Sequence, residues 1–106
     1  MLWEHVDWVQ FPALRHKKNK NMYYVYVIES QKNKDLYKGF TKDINKRLKE
    51  HNSGLNFSTK NNRPWKLVYC EIFLNKQDAV NREKYLKGSW GRKFLKEALK
   101  NYLKNK

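Results

Sequence analysis

The sequence reads as an α+β domain: a small, three-stranded, mostly antiparallel sheet with flanking helices, in the order β-β-α-β-α-α. Three observations predict it. Met22 to Ser30 and Trp65 to Leu74 are rich in aromatic and β-branched residues, as strands are. Two further segments place apolar residues at helical spacing and end at Gly54 and Gly88. At 106 residues the chain has room for one core only.

Residues 1–21 stand apart from this pattern. Trp3, Trp8 and Phe11 follow neither a helical nor a strand period, and the stretch closes on Arg15-His16-Lys17-Lys18-Asn19-Lys20. It reads as an N-terminal appendage to a domain spanning 22–106. Either translation starts at Met22 and the leader is upstream sequence, or the leader is an aromatic arm that packs on the domain or reaches nucleic acid.

In Met22 to Ser30, Tyr24, Tyr26 and Ile28 share one face and Tyr23, Val25 and Val27 the other, so both faces are apolar and the strand is central. Gln31 to Asp35 is polar turn material, and Leu36 to Phe40 returns as the second strand of a hairpin. Gly39 inside that strand marks a bulge or a close backbone approach. Thr41 is the expected N-cap of a helix to Ser53, with Asp43 in its first turn, Ile44 and Leu48 on its buried side and Gly54 as its stop. Leu55 to Pro64 is polar and reads as a loop, and Trp65 to Leu74 as the third strand. Asn75 caps a second helix to Lys87 with Ala79, Val80 and Leu86 as its apolar side. Gly91 opens the last helix, where Phe94, Leu95, Ala98, Leu99, Tyr102 and Leu103 recur at helical spacing between lysines.

Charge narrows the function. Twenty-four Lys and Arg against ten Asp and Glu give +14, a field that attracts polyanions and points to nucleic acid rather than to a cationic partner. Nine basic and two acidic residues from Arg82 onward concentrate half of that excess on the last quarter of the chain, which argues for a directed basic face over a uniformly solubilising one. Cys70 is the only cysteine, which excludes an intramolecular disulfide and a thiolate zinc cage and fits a reducing compartment. No apolar run approaches the about 18 residues of a membrane span, and Glu4, His5 and Asp7 do not suit a signal peptide. A cytoplasmic protein without membrane contact is expected.

Five residues carry possible phosphodiester chemistry. At about 100° per residue, Glu83 falls inside the stripe formed by Ala79, Val80 and Leu86. A buried, unpaired carboxylate costs several kcal/mol, so Glu83 needs a divalent ion such as Mg2+, or leans out to Lys87 four positions on. Arg47 and His51 share a helix face. They are either solvated or, respectively, a bidentate fork for phosphate and a group that positions water or protonates a leaving oxygen. Tyr26 and Tyr37 lie on adjacent strands, where tyrosines ordinarily pack; a phenol facing a cleft could instead orient or deprotonate an attacking water.

Taken in order, these residues resemble the GIY-YIG nuclease superfamily, particularly its small single-domain bacterial members. The first motif appears as Tyr24-Val25-Tyr26 and the second as Tyr37-Lys38-Gly39. Arg47 and His51 follow, then Asn52-Ser53-Gly54, Pro64-Trp65 with Leu67-Val68-Tyr69, and Ala79 with Arg82-Glu83-Lys84 and Leu86-Lys87. The likeness spans about Met22 to Tyr102. It implies a compact three-stranded α+β fold and phosphodiester hydrolysis on one divalent ion, Mg2+ or Mn2+. By the same likeness Glu83 holds the metal, Tyr26 is the candidate base, Arg47 stabilises the pentacovalent phosphate, and Tyr37 and His51 complete the network. Of the two motifs, only Tyr26 of the first and Tyr37 and Gly39 of the second match the family's name, and two departures matter. Lys87 to Ala98 contains no counterpart of the Asn that many members carry after the catalytic Glu, and Lys38 replaces Ile at the centre of the second motif.

The leading expectation is a metal-dependent DNA endonuclease, structure-directed or weakly sequence-specific, acting on branched or nicked DNA, with RNA also open as a substrate. Lys38, Lys42, Lys87, Arg92 and Lys93 would hold phosphates alongside Arg47. Phosphate contacts position a protein without reading bases. Two other classes fit the sequence: a nucleic-acid-binding module with little or no catalysis, and an interaction protein docking through its aromatic leader.

Overall fold

The computed structural model describes residues 22–105. The expected appendage at 1–21, with its alternative roles, lies outside the described residues. The elements are β1 (Tyr23–Ser30), β2 (Leu36–Thr41), α1 (Ile44–Ser53), a 3-10 turn (Lys60–Asn62), β3 (Trp65–Phe73), α2 (Lys76–Lys87), α3 (Ser89–Ala98) and α4 (Lys100–Lys104). The sheet runs β2-β1-β3 with both neighbours antiparallel to β1, so the expected α+β layout is present. No helix among the described residues is long and apolar enough to cross a membrane.

The two apolar faces of β1 organise two cores. Val25 and Val27 are buried with Ala79 and Leu86 of α2 and Leu95 of α3, with Phe40, Val68 and Phe94 packed around them. Tyr26 and Ile28 face the other way, against Trp65, Ile44, Leu48 and Tyr37. At about 1.5–3 kcal/mol per large apolar side chain removed from water, β1 is the strand on which both layers depend. Two-sided burial therefore follows from its sequence, and it holds Tyr26 between fixed neighbours.

Local chemistry shifts some expected boundaries. Asp43, not Thr41, caps α1: its Oδ1 accepts the Lys46 N–H at 3.1 Å, while the Thr41 hydroxyl oxygen accepts the Asp43 N–H at 3.1 Å and shapes the turn before it. Gly54 ends α1 in the left-handed region, φ 85°, as anticipated. Asn75 caps α2 through the N–H groups of Gln77 and Asp78.

Gly91 does not open the last helix. It lies buried inside α3, where a Cβ would fall 2.6 Å from the Leu86 carbonyl carbon and closer still to Leu86 Cα and the Tyr85 oxygen. The residue that resembles a helix breaker is the notch that lets α2 and α3 approach. The last helix also breaks at Leu99 (φ −108°, ψ 17°), and on the far side Tyr102 donates its hydroxyl to Glu29 Oε1 at 2.6 Å.

The Leu55 to Pro64 loop is more ordered than its polarity implies. Asn52 of α1 clamps the Trp65 backbone, accepting its N–H at 2.6 Å and donating to its carbonyl at 3.0 Å. The Trp65 indole N–H donates to the Thr59 carbonyl at 2.8 Å, and Ser30 donates to that of Asn62 at 2.7 Å. The loop is thereby pinned against α1 and the sheet.

Candidate active site

Tyr26 pairs across the hairpin with Gly39, and its ring occupies the space a side chain there would need. A Cβ on Gly39 would lie 2.8 Å from Tyr26 Cε2 and nearer still to Cζ and the hydroxyl oxygen. The expectation of a close approach at Gly39 is met, and the partner is the candidate base. The β-sheet irregularity falls elsewhere, between Val27 and Ile28 where β1 meets β3.

Around the Tyr26 hydroxyl the helix spacing of Arg47 and His51 takes effect. His51 Nε2 is 2.7 Å from the phenol oxygen, and Arg47 Nε donates to it at 3.4 Å. The imidazole is fully buried, edge-on to Tyr26 at 5.7 Å and to Tyr37 at 5.1 Å between ring centroids. Its other nitrogen, Nδ1, lies 2.8 Å from the Thr59 hydroxyl. Arg47 extends outward, its Nη1 paired with Glu50 at 3.1 Å.

Burial sets the protonation states here. It lowers the His51 pKa, helped by the Arg47 charge and opposed by Glu50, so the imidazole is neutral at pH 7. Burial pushes the Tyr26 phenol up to about 12; the hydrogen bond and charge of Arg47 oppose the rise, while Tyr37 and Glu83 add to it.

Glu83 is not the unpaired buried carboxylate that its place in the apolar stripe implies. Its side chain is 21% exposed and Oε2 sits 3.1 Å from Lys87 Nζ. The preceding residue explains its orientation. Arg82 grips Glu71 of β3 through two bonds of 2.8 and 3.0 Å and lies over the rings of Phe94 and Tyr85, which fixes the rotation of α2. Among the described residues no three His, Cys, Asp or Glu converge as a metal cage. The single carboxylate of Glu83 fits a hard divalent ion that would take its other ligands from water and substrate phosphate, and not a structural zinc cage.

The expected phosphate-binding residues divide. Lys38 is partly buried, which lowers its pKa, and the charges of Arg92 of α3 and of Lys87 of α2, the partner of Glu83, lower it further. Lys42 rests over the Tyr23 ring at 5.6 Å and, with Thr41, Lys46, Arg47 and Glu50, lines a cleft of ≈ 250 Å³. Lys93 is instead laid over the exposed Trp90, 4.8 Å from its centroid. Thr59 and Glu50 escaped the sequence reading. Thr59 lies in a polar loop with no periodicity to single it out, and Glu50 reads as one more charge on an exposed helix face.

Comparison with known proteins identifies the family. Residues 22–96 match the family described as the GIY-YIG catalytic domain. A UPF0213 protein of Clostridium perfringens is 45% identical over 67 residues, which cover 62% of this chain and 71% of the relative. One from Staphylococcus saprophyticus is 41% identical over 75 residues (70% and 90%), and the UPF0213 protein YsiG of Lactococcus lactis is 39% identical over 84 residues (78% and 80%). No solved structure gives a significant match. The family match spans both tyrosine motifs, the helix carrying Arg47 and His51, and Glu83, and by it the chain belongs to the GIY-YIG family of nuclease domains.

Proposed function

We propose that the domain is a divalent-metal-dependent endonuclease that hydrolyses DNA phosphodiester bonds in the cytoplasm, directed by DNA structure or only weakly by sequence. The observation that carries this reading is the meeting of two side chains of one helix face on one phenol oxygen: His51 at 2.7 Å and Arg47 at 3.4 Å.

Arg47 projects from this cluster with a fork suited to a phosphate, exchanging Glu50 for substrate oxygens. Tyr26 orients the attacking water and, once its proton passes to His51, accepts one from that water. With a pKa of about 12 the phenol is neutral in the free protein. Ionising it at pH 7 costs about 7 kcal/mol at about 1.4 kcal/mol per unit, so ionisation belongs to the substrate complex. Tyr37 closes the aromatic side of the imidazole and excludes water from it. Glu83 would hold Mg2+ or Mn2+, which when bound supplies positive charge to the phosphate oxygens and a more acidic water. Lys38, Lys42, Lys87, Arg92 and Lys93 would engage neighbouring phosphates. These are contacts that grip a backbone without reading bases, which suits branched or nicked DNA.

One observation favours a second reading, a module that binds nucleic acid without cutting it. Glu83 and Arg47 are each paired to a neighbour on their own helix, Lys87 and Glu50. Cleavage of linear, nicked and branched DNA, with an RNA control, in Mg2+ or EDTA separates the two. The nuclease reading predicts cutting that EDTA abolishes and that Glu83→Ala and Arg47→Ala, both folded, lose. Binding without cutting on every substrate supports the second reading, and cutting retained by Glu83→Ala rejects the metal site.

A further inference from the structure

We infer that Thr59 is a positioning residue that fixes His51 in the Nδ1–H tautomer and so aims the Nε2 lone pair at the Tyr26 hydroxyl. The inference rests on the proposed catalytic reading only for its effect on cleavage; the tautomer itself does not depend on it.

The direction of hydrogen bonding through the buried chain is set at the Arg47 end, and the Thr59 end accommodates it. At one end Arg47 Nε can only donate, and it does so to the Tyr26 oxygen at 3.4 Å. At the other end the Asn56 carbonyl, which also accepts the Thr59 and Lys60 N–H groups at 3.2 and 3.0 Å, is the acceptor nearest the Thr59 hydroxyl, at a long 3.5 Å. Thr59 Oγ1 is then free to accept from His51 Nδ1–H at 2.8 Å, and Nε2 to accept from Tyr26 O–H at 2.7 Å. Each hydrogen has one acceptor. In the opposite tautomer the Tyr26 oxygen receives hydrogens from both Arg47 and His51, and its own hydrogen has no acceptor among the described contacts of a side chain only 1% exposed.

Thr59 suits this task because it cannot turn away. It is fully buried, and its carbonyl is held by the Trp65 indole, whose backbone is clamped in turn by Asn52 on the helix that carries His51. The remaining titratable or charged groups facing the imidazole are Tyr26 from β1, Tyr37 from β2, and Arg47 and Glu50 from α1. None of them reaches Nδ1 in place of Thr59 among the described hydrogen bonds.

The test is a long-range 15N–1H correlation spectrum of the full, 15N-labelled chain near pH 7.5, with the His51 resonances assigned by difference from His51→Gln. The inference expects Nδ1–H in the wild type, a shift toward Nε2–H in Thr59→Val and recovery in Thr59→Ser. It also expects kcat for cleavage to fall about 100-fold in Thr59→Val, within the range of one general base, with KM nearly unchanged and the serine variant active. A wild-type spectrum showing Nε2–H overturns it, as does Thr59→Val with wild-type tautomer and kcat. Should Thr59→Val fail to fold, the wild-type and Thr59→Ser spectra decide. A wild type that does not cleave at all removes the proposed function, while the spectrum still tests the tautomer.

Discussion

Gly39→Ala is the smallest change that separates a packing account of Tyr26 from a merely sequential one. The new methyl would stand 2.8 Å from Tyr26 Cε2 and nearer to Cζ and the hydroxyl, where 3.4 Å or more is ordinary contact. The ring has to move by roughly 1 Å from a site in which Tyr26 is 1% exposed and its neighbours on β1 are fully buried. Such overpacking costs about 1–3 kcal/mol. The same movement stretches the 2.7 Å bond to His51 toward its limit, at about 1 kcal/mol more. The expected loss of stability is therefore about 2–4 kcal/mol in urea denaturation, with unchanged far-UV circular dichroism. Cleavage should fall about 100-fold, as a catalytic group displaced by 1 Å typically does. A variant within about 0.5 kcal/mol of wild type by the same measurement, with undiminished cleavage, would refute the claim that Tyr26 is placed by the absent side chain at Gly39.

Further expectations follow from other contacts. Gly91→Ala should cost at least about 2 kcal/mol in thermal or urea unfolding, because the methyl meets the Leu86 and Tyr85 backbone, which no rotamer change relieves. Gly88→Ala, whose nearest contact is an ordinary 3.6 Å, is the control. The folded state refuses the His51 proton that the unfolded chain accepts near pH 6.5, so acidification from that pH toward the lower folded pKa should remove stability. His51→Gln should flatten that part of the pH-stability curve, and an identical curve would contradict the assignment. Lys38→Ala and Lys87→Ala should each reduce the slope of log affinity for DNA against log salt by about 1 if each residue contacts a phosphate, and leave it unchanged if neither does.

The sheet was legible because β1 is apolar on both faces, a pattern that suits a central strand and little else. The four-residue spacing of Arg47 and His51 likewise anticipated that both would reach one point. Other features depended on tertiary approach, which periodicity does not encode. Gly91 carries the signature of a helix start yet serves a helix crossing, and the lysine-spaced apolar pattern through Leu99 gives no sign of the break there. Thr41 and Asp43 both suit an N-cap, and the local turn decides for Asp43. For Glu83 the sequence left two outcomes open, a metal or the lean to Lys87 four positions on, and the pair with Lys87 is the one present. Thr59 could not be found from spacing, since its partner His51 lies across a loop whose course is set by Asn52 and Trp65.

The central claim, that residues from two strands and two helices act together on one phosphodiester, is tested most directly by single-turnover cleavage of labelled branched DNA in Mg2+ by four proteins: wild type, Arg47→Ala, Glu83→Gln and the double variant. Groups that act as a unit lose most of their effect at the first removal. Each single variant should therefore fall by at least about 100-fold, and the double variant should cleave no more slowly than the worse single one. Wild-type rates in Glu83→Gln, or losses in the double variant that equal the product of the two single losses, would contradict it.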